Sequence, residues 1–323
     1  MNLRRLKYFV KIVDVGSLTQ AADLLHIAQP ALSQQLATLE GEVGQQLLLR
    51  TKRGVTPTEA GKVLYRHAQL ILRQCDQAVV DMQAASRGLS GSVSIGLAPG
   101  TLAATLSLPL LRILRARHPG IVPYLNENYG TTLSELIMNG RMDLAVLYGG
   151  RVRVHGLLFV PLMREPLFLV GPQSMPAPDE TVTVQAVAAY DLYVPRGYNY
   201  VRKLVDEAFA AAGLVPRVVA EIESATTLRA VIGDGLGATV APASLARELV
   251  VECDAWQARI VEPAIDAPLA LCQSDHLPLS EPAIAVKEIL LELVAELPGS
   301  FPKPKKAKPQ PQPQPAVPNS ETA

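Results

Sequence analysis

Leu3, Leu6, Val10 and Val13 recur at spacings of three and four, the period of a helix with one apolar face. Gly16 breaks that pattern, and Ser17 is placed to cap a second helix over residues 19–25. After the short turn His26-Ile27-Ala28, the pair Gln29-Pro30 opens a third helix, with proline at the first helical position where its missing N–H costs nothing. Leu32, Leu36 and Leu39 supply its buried stripe. Two short helices joined by a tight turn, with Ala21 and Ala22 small enough for close crossing, predict a helix-turn-helix. Leu47-Leu48-Leu49-Arg50 and Val55-Thr56 then flank the basic turn Thr51-Lys52-Arg53-Gly54, which predicts a two-stranded wing.

Thr58 is placed to cap a long helix that runs to residue 86. Within it Leu64, Ala68, Ile71, Cys75, Ala78 and Met82 fall at alternating spacings of four and three, a coiled-coil seam that predicts pairing with the same helix of a second copy. Gly88-Leu89-Ser90-Gly91 reads as a hinge. Beyond it, strands are predicted at 93–97, 121–126, 143–147, 167–170, 192–194, 218–221, 238–240 and 269–273. Helices are predicted at 105–117, 133–138, 198–212, 226–232 and 282–297. This alternation predicts parallel α/β packing, in two lobes of about a hundred residues each. The last stretch, 298–323, holds 8 prolines and four lysines with almost nothing apolar, which predicts an extended, disordered tail. The chain thus divides into a winged helix-turn-helix unit (1–58), a linker helix and hinge (59–90), a two-lobed α/β unit (91–297) and the tail.

Composition narrows the classes. Of the 323 residues 49% are apolar, enough for a sizeable core, yet no run approaches the ~20 residues that span a bilayer. The first residues lack the apolar core of a signal peptide, so a cytoplasmic protein is expected, with no membrane partner. Three cysteines give no disulfide framework, and neither they nor the five scattered histidines have metal-ligand spacing. The net charge is zero but uneven: residues 1–90 carry +4 and residues 91–296 carry −7. A basic leading unit on an acidic body suits a nucleic-acid reader fused to something else.

The chemistry follows the same division. Gln29, Ser33 and Gln34 on the first turns of the third helix can present amide and hydroxyl groups to base edges, and the small Ala31 can approach a thymine methyl. Arg50, Lys52 and Arg53 would meet phosphate or enter the minor groove, and Ser17 and Thr19 lie where a helix start donates N–H groups to phosphate. In the α/β part, Gly100-Thr101, Thr131, Pro195-Arg196 and Ser224 lie at strand-to-helix junctions where a small anionic ligand could sit. The competing role for each Thr or Ser is simply to cap a helix. Gly233-Asp234-Gly235-Leu236-Gly237 lacks dinucleotide-binding spacing, and there is no phosphate loop, nucleophile elbow or H-E-x-x-H. No catalytic or metal site and no cofactor are expected.

Leu6-Lys7-Tyr8-Phe9, Gly16-Ser17-Leu18-Thr19-Gln20-Ala21-Ala22 and Ala28-Gln29-Pro30-Ala31-Leu32-Ser33-Gln34-Gln35 follow one another in the order found in LysR-type bacterial regulators. Leu39-Glu40 and Arg53-Gly54-Val55-Thr56-Pro57-Thr58-Glu59-Ala60-Gly61 extend the likeness, and over residues 1–296 the chain resembles that family. The resemblance implies a winged helix-turn-helix, a dimerising linker helix and a two-lobed effector domain similar to periplasmic binding proteins. Implied partners are promoter DNA, a second copy, a dimer of dimers and RNA polymerase. By the same resemblance Gln29, Pro30, Ala31, Ser33, Gln34, Arg50 and Arg53 would hold DNA, with Gln34 standing where many members carry arginine. Met1-Asn2-Leu3-Arg4-Arg5, Thr38-Leu39-Glu40-Gly41-Glu42, Ser94-Ile95-Gly96-Leu97-Ala98-Pro99-Gly100-Thr101 and Asn139-Gly140-Arg141-Met142-Asp143 resemble the nitrogen-control members of the family. These imply activation or repression of nitrogen-assimilation genes. The alternative is a regulator of aromatic or amino-acid catabolism gated by a small carboxylate inducer.

Overall fold

Three short helices and a wing lead the chain in the computed structural model, which describes residues 1–51, 54–84, 89–150 and 152–297. In α1 (Leu3–Val15) the Asn2 side chain accepts from the Arg5 N–H at 2.9 Å, and Gly16 ends the helix at φ 68°. Leu6, Phe9 and Ile12 turn inward. Ser17 caps α2 (Leu18–Leu24), and α3 (Gln29–Val43) starts on Pro30 and stops at Gly44. β1 (Leu48–Thr51) and β2 (Gly54–Pro57) pair antiparallel, with Arg50 opposite Val55. Here glycine is required: a Cβ on Gly54, whose φ is 125°, would lie 2.5 Å from the Gly16 carbonyl oxygen. The Val55 N–H donates to that same oxygen at 2.8 Å, so the wing is seated on the end of α1. The Glu40 carboxylate ties α3 to the wing by accepting from the N–H groups of Leu47 and Leu48.

Thr58 begins α4 (Glu59–Ala84), accepting from the Gly61 N–H at 3.0 Å while donating to Gln46 O at 2.8 Å. At 26 residues α4 is roughly 40 Å long. The predicted seam does not form one surface. Leu64 packs on the winged-helix core and Ala68 is fully buried inside the chain, whereas Ile71, Ala78 and Met82 are exposed and Cys75 is half-buried. A four-and-three pattern shows that a helix has an apolar face but not what covers it, and here α1 covers its first half.

Farther along, α4 packs on the α/β part. The Arg73 guanidinium bonds the Asp143 carboxylate and the Gly140 carbonyl oxygen, while Asp143 also accepts from the Ser94 N–H and hydroxyl, both at 2.7 Å. Two residues earlier Arg141 pairs with Asp14 of α1 at 3.4 Å, and the Tyr65 hydroxyl bonds the same carboxylate.

The first lobe comprises β3 (Gly91–Leu97), α5 (Leu102–Thr105), α6 (Ser107–Arg117), β4 (Ile121–Glu127), α7 (Gly130–Met138) and β5 (Leu144–Tyr148). β3 pairs parallel with β4 and β5. The chain crosses on β6 (Leu157–Pro172) into the second lobe, made of β7 (Thr181–Thr183), α8 (Val184–Val187), β8 (Leu192–Val194), α9 (Tyr200–Ala211), β9 (Val218–Glu221), α10 (Ala225–Gly233), β10 (Thr239–Pro242), α11 (Ala243–Cys253) and β11 (Ala255–Val261). It returns on β12 (Asp266–Ser274) to α12 (Glu281–Ala295), which packs on α6 and β3. The predicted hinge residue Gly88 and the predicted tail lie outside the described residues.

Among the described residues the expectation of parallel pairing holds for β3, β4 and β5 in the first lobe and, in the second, for the β7–β11 and β8–β9 pairs and the Leu192–Ala238 bridge. β5, β12, β6, β10 and β11 are joined antiparallel, and the single strand predicted at 167–170 is the far end of the 16-residue β6. Pro161 and Pro166 both lie within β6; the register shift between Leu269 and Ala270 pairs those two residues with Met163 and Pro161 and leaves Leu162 as an extra residue. Such a bulge lets proline sit in a strand. The α11–β11 pair was not among the predicted elements. It turns at Asp254, at φ 49°, where no Gly or Pro announces a break.

Asp143→Ala removes the acceptor shared by Ser94 and Arg73. It should cost about 2 kcal/mol in unfolding free energy and raise amide exchange in the Arg73 turn of α4; unchanged exchange there would contradict the docking just described. Burial, then the Asp14 carboxylate, push the Tyr65 phenol up from 10.0 to about 12. Its contribution to stability is therefore complete below pH 10 and is lost as pH rises through 12. In an alkaline tyrosinate titration Tyr65→Phe should remove one late-ionising tyrosine.

Candidate nucleic-acid interface and interlobe cleft

α2 and α3 meet in the turn at His26, which adopts φ 53°. The stripe Leu32, Leu36 and Leu39 faces the core, so geometry alone places Gln29, Pro30, Ala31 and Gln34 on the exposed side, with Ser33 half-exposed. Ala28 at the N-cap offers no side-chain acceptor, so no side chain caps the first turn of α3. A helix start of this kind carries unsatisfied N–H groups and partial positive charge. Thr38 holds its own hydroxyl on the Gln34 carbonyl at 2.8 Å, leaving the Gln34 amide exposed.

The wing joins this surface: the Arg50 guanidinium donates to the Ser33 hydroxyl at 3.0 Å. Ser17 accepts from the Gln20 N–H at 3.4 Å and so acts as a cap, while Thr19 beside it is exposed. Ser17, Thr19, Gln29, Pro30, Ala31, Ser33, Gln34 and Arg50 all lie on the helix-turn-helix and wing; Arg53, like Lys52, falls outside the described residues.

Between the lobes lies a cleft of about 560 Å³ lined mainly by apolar side chains, Leu147, Phe159, Leu204 and Leu228 among them. Gly100, Thr101, Thr131, Pro195 and Ser224 line it as the sequence predicts. Thr101 and Ser224 are also caps: Thr101 accepts from the Ala103 N–H at 3.0 Å and donates to Ala98 O at 2.7 Å, and Ser224 accepts from Thr227 N–H at 3.2 Å. Arg196 is a correction. It is not among the lining residues; it pairs with Glu221 at 3.4 Å and lies 5.9 Å from the Tyr198 ring centroid. The β8–β9 pairing sets Glu221 beside Val194, so a carboxylate waits next to the Arg196 loop. Among the described lining residues Lys203 stands against Glu135, Glu207 and Glu223.

Beneath the cleft floor is a group the motifs did not reveal. Glu165, 2% exposed, accepts from the Tyr148 hydroxyl at 2.5 Å, the Ser244 N–H at 3.0 Å and the Leu102 N–H at 3.4 Å. Burial, then the Glu165 charge, hold the Tyr148 phenol well above its ordinary range. Strand parity carries the only hint, since Met163, Glu165, Leu167 and Leu169 alternate along β6 and all four are buried.

Two family models cover these regions: "Bacterial regulatory helix-turn-helix protein, lysR family" at residues 3–62 and "LysR substrate binding domain" at 86–295. The chain is 54% identical to the nitrogen assimilation regulatory protein nac of Klebsiella aerogenes and 52% to that of Escherichia coli K12, in both cases over 91% of this chain and 96% of the relative. Full-length CbnR complexed with its target DNA superposes with TM-score 0.66 at 26% identity, covering 91% of this chain and 100% of that one. Full-length OxyR from Pseudomonas aeruginosa shares the fold, with TM-score 0.68 at 22% identity over 95% and 99% of the two chains. The chain belongs to the LysR family of bacterial regulatory helix-turn-helix proteins, DNA-binding regulators of transcription.

Proposed function

We propose that the chain controls genes of nitrogen assimilation, as activator or repressor, by setting the first turn of α3 into the major groove of promoter DNA. One observation carries the docking: the uncapped start of α3 exposes Gln29, Ala31 and Gln34 on one surface, with Arg50 of the wing bonded to Ser33 beside them. Identity of 54% and 52% to two nitrogen assimilation regulators supports the choice of genes. Gln29, Ser33 and Gln34 meet base edges and Ala31 a thymine methyl, with Pro30 fixing the approach of the helix. Ser17, Thr19, Arg50 and Arg53 meet phosphate, which supplies most of the affinity and makes it salt-dependent.

A second copy completes the reader. Ile71, Ala78, Val79 and Met82 form an exposed apolar face on the latter half of α4, and α6 with its neighbour β4 exposes Leu108, Leu111, Val122 and Tyr124. Two separate apolar faces suit a dimer and a dimer of dimers. Recruitment of RNA polymerase and a cytoplasmic location belong to the same proposal. The interlobe cleft favours one addition, a small-molecule effector touching Gly100, Thr101, Thr131, Pro195 and Ser224; no other cofactor is invoked.

Mapping of bound DNA across a genome under nitrogen limitation and excess tests the choice of genes; binding sites indifferent to nitrogen supply, and absent from nitrogen genes, would refute it. In gel shifts Gln34→Ala or Ser33→Ala should narrow the gap between cognate and scrambled DNA by about 1–3 kcal/mol per lost base contact. Arg50→Ala should weaken both DNAs alike and reduce the salt slope by roughly one. The reverse pattern would exchange the roles assigned to helix and wing. Sedimentation of the full chain should show a multimer, and Met82→Glu should shift it toward smaller species.

A further inference from the structure

Glu165 lies on β6 at the crossing between the lobes, where Ala267 of β12 is its partner across the sheet. Its three donors come from both sides of the cleft. The Tyr148 hydroxyl, at the end of β5, and the Leu102 N–H, at the start of α5, belong to the first lobe. The Ser244 N–H, in the first turn of α11, belongs to the second. All three donate, which is what an acceptor-only carboxylate needs when water is excluded. Removing a buried charge in this setting strands its donors. The lobes also touch directly just above, since a Cβ on Gly100 would lie 3.1 Å from a Leu245 methyl. The Ser244 hydroxyl is buried at the same place, beside the Tyr148 phenol.

We propose that Glu165 is a resident anion that latches the two lobes together, filling from within the chain the position a free carboxylate would otherwise occupy between them. Closure of the cleft therefore needs no small anion from solution. A soluble anion acts on the wild-type chain only through general salt effects, whereas a chain lacking the Glu165 side chain gains a carboxylate-sized gap faced by donors from both lobes. The inference does not rest on nitrogen control and needs no promoter, so either reading can fail without the other.

The test is thermal unfolding of the full chain and of Glu165→Ala, in sodium formate or sodium acetate against sodium chloride of equal ionic strength. The variant should unfold roughly 5–10 °C below the parent in chloride, and formate should restore at least half of that loss. The parent should melt at the same temperature in all three salts. A variant that melts with its parent, or that formate stabilises no more than chloride, overturns the latch. Should the alanine variant not fold, Tyr148→Phe carries the test by removing one donor and leaving the helix starts intact. It should speed amide exchange at both Leu102 and Ser244, one in each lobe; unchanged exchange at Ser244 overturns the proposal.

Discussion

Asp143 takes hydrogen bonds from two parts of the chain at once, and the relation of the DNA-reading unit to the rest depends on it. Ser94 in β3 and Arg73 in α4 both donate to its carboxylate, and Arg141 two residues earlier reaches Asp14 in α1. A single short loop thus holds the first lobe, the linker helix and the helix-turn-helix together. Without it α4 would meet the α/β part chiefly through contacts such as that of Leu70 with Gly140, which have no preferred direction. Charged groups with fixed geometry set the angle that apolar packing leaves free. The position of α3 is in turn fixed by α1 and the wing, so a movement of the first lobe has a continuous route of bonded and packed groups to the reading surface.

The leading unit was legible in the sequence almost residue by residue. Its period is local, and its boundaries are marked by residues whose physics is explicit: Ser17 as a cap, Gly16 in the left-handed region, Pro30 at a helix start. The exposed reading face follows by subtraction once Leu32, Leu36 and Leu39 are assigned to the core. The cleft residues Gly100, Thr101, Thr131, Pro195 and Ser224 were legible for a similar reason, because strand-to-helix junctions on one edge of an α/β sheet converge.

What escaped was non-local. β6 was hidden because tolerance of Pro161 depends on a bulge formed with β12, more than a hundred residues away. Arg196 was misplaced because its partner is set by a strand pairing that periodicity does not report. The seam of α4 was read as one surface because spacing is blind to which neighbour arrives; α1 buries the first half and leaves the second. Glu165 was passed over because it lies outside the strand predicted at 167–170, although its parity matches the core face of β6.

A carboxylate at the crossing does something that leucine there would not. β6 and β12 pass between the lobes as a pair of strands, and such a crossing resists shear better than bending. Packing across an apolar cleft is tolerant of a few degrees of opening, because dispersion contacts shift gradually with distance. Hydrogen bonds from the Tyr148 hydroxyl and the Ser244 N–H to the same buried group are not, since each weakens steeply once its angle and length leave a narrow range. Glu165 therefore converts a loose hinge into one with a defined closed angle, and leaves a space of about 560 Å³ above it unfilled by the protein. A ligand entering that space meets lobes already set in place, so what it can alter is the cleft wall and its acidic rim more readily than the closure itself.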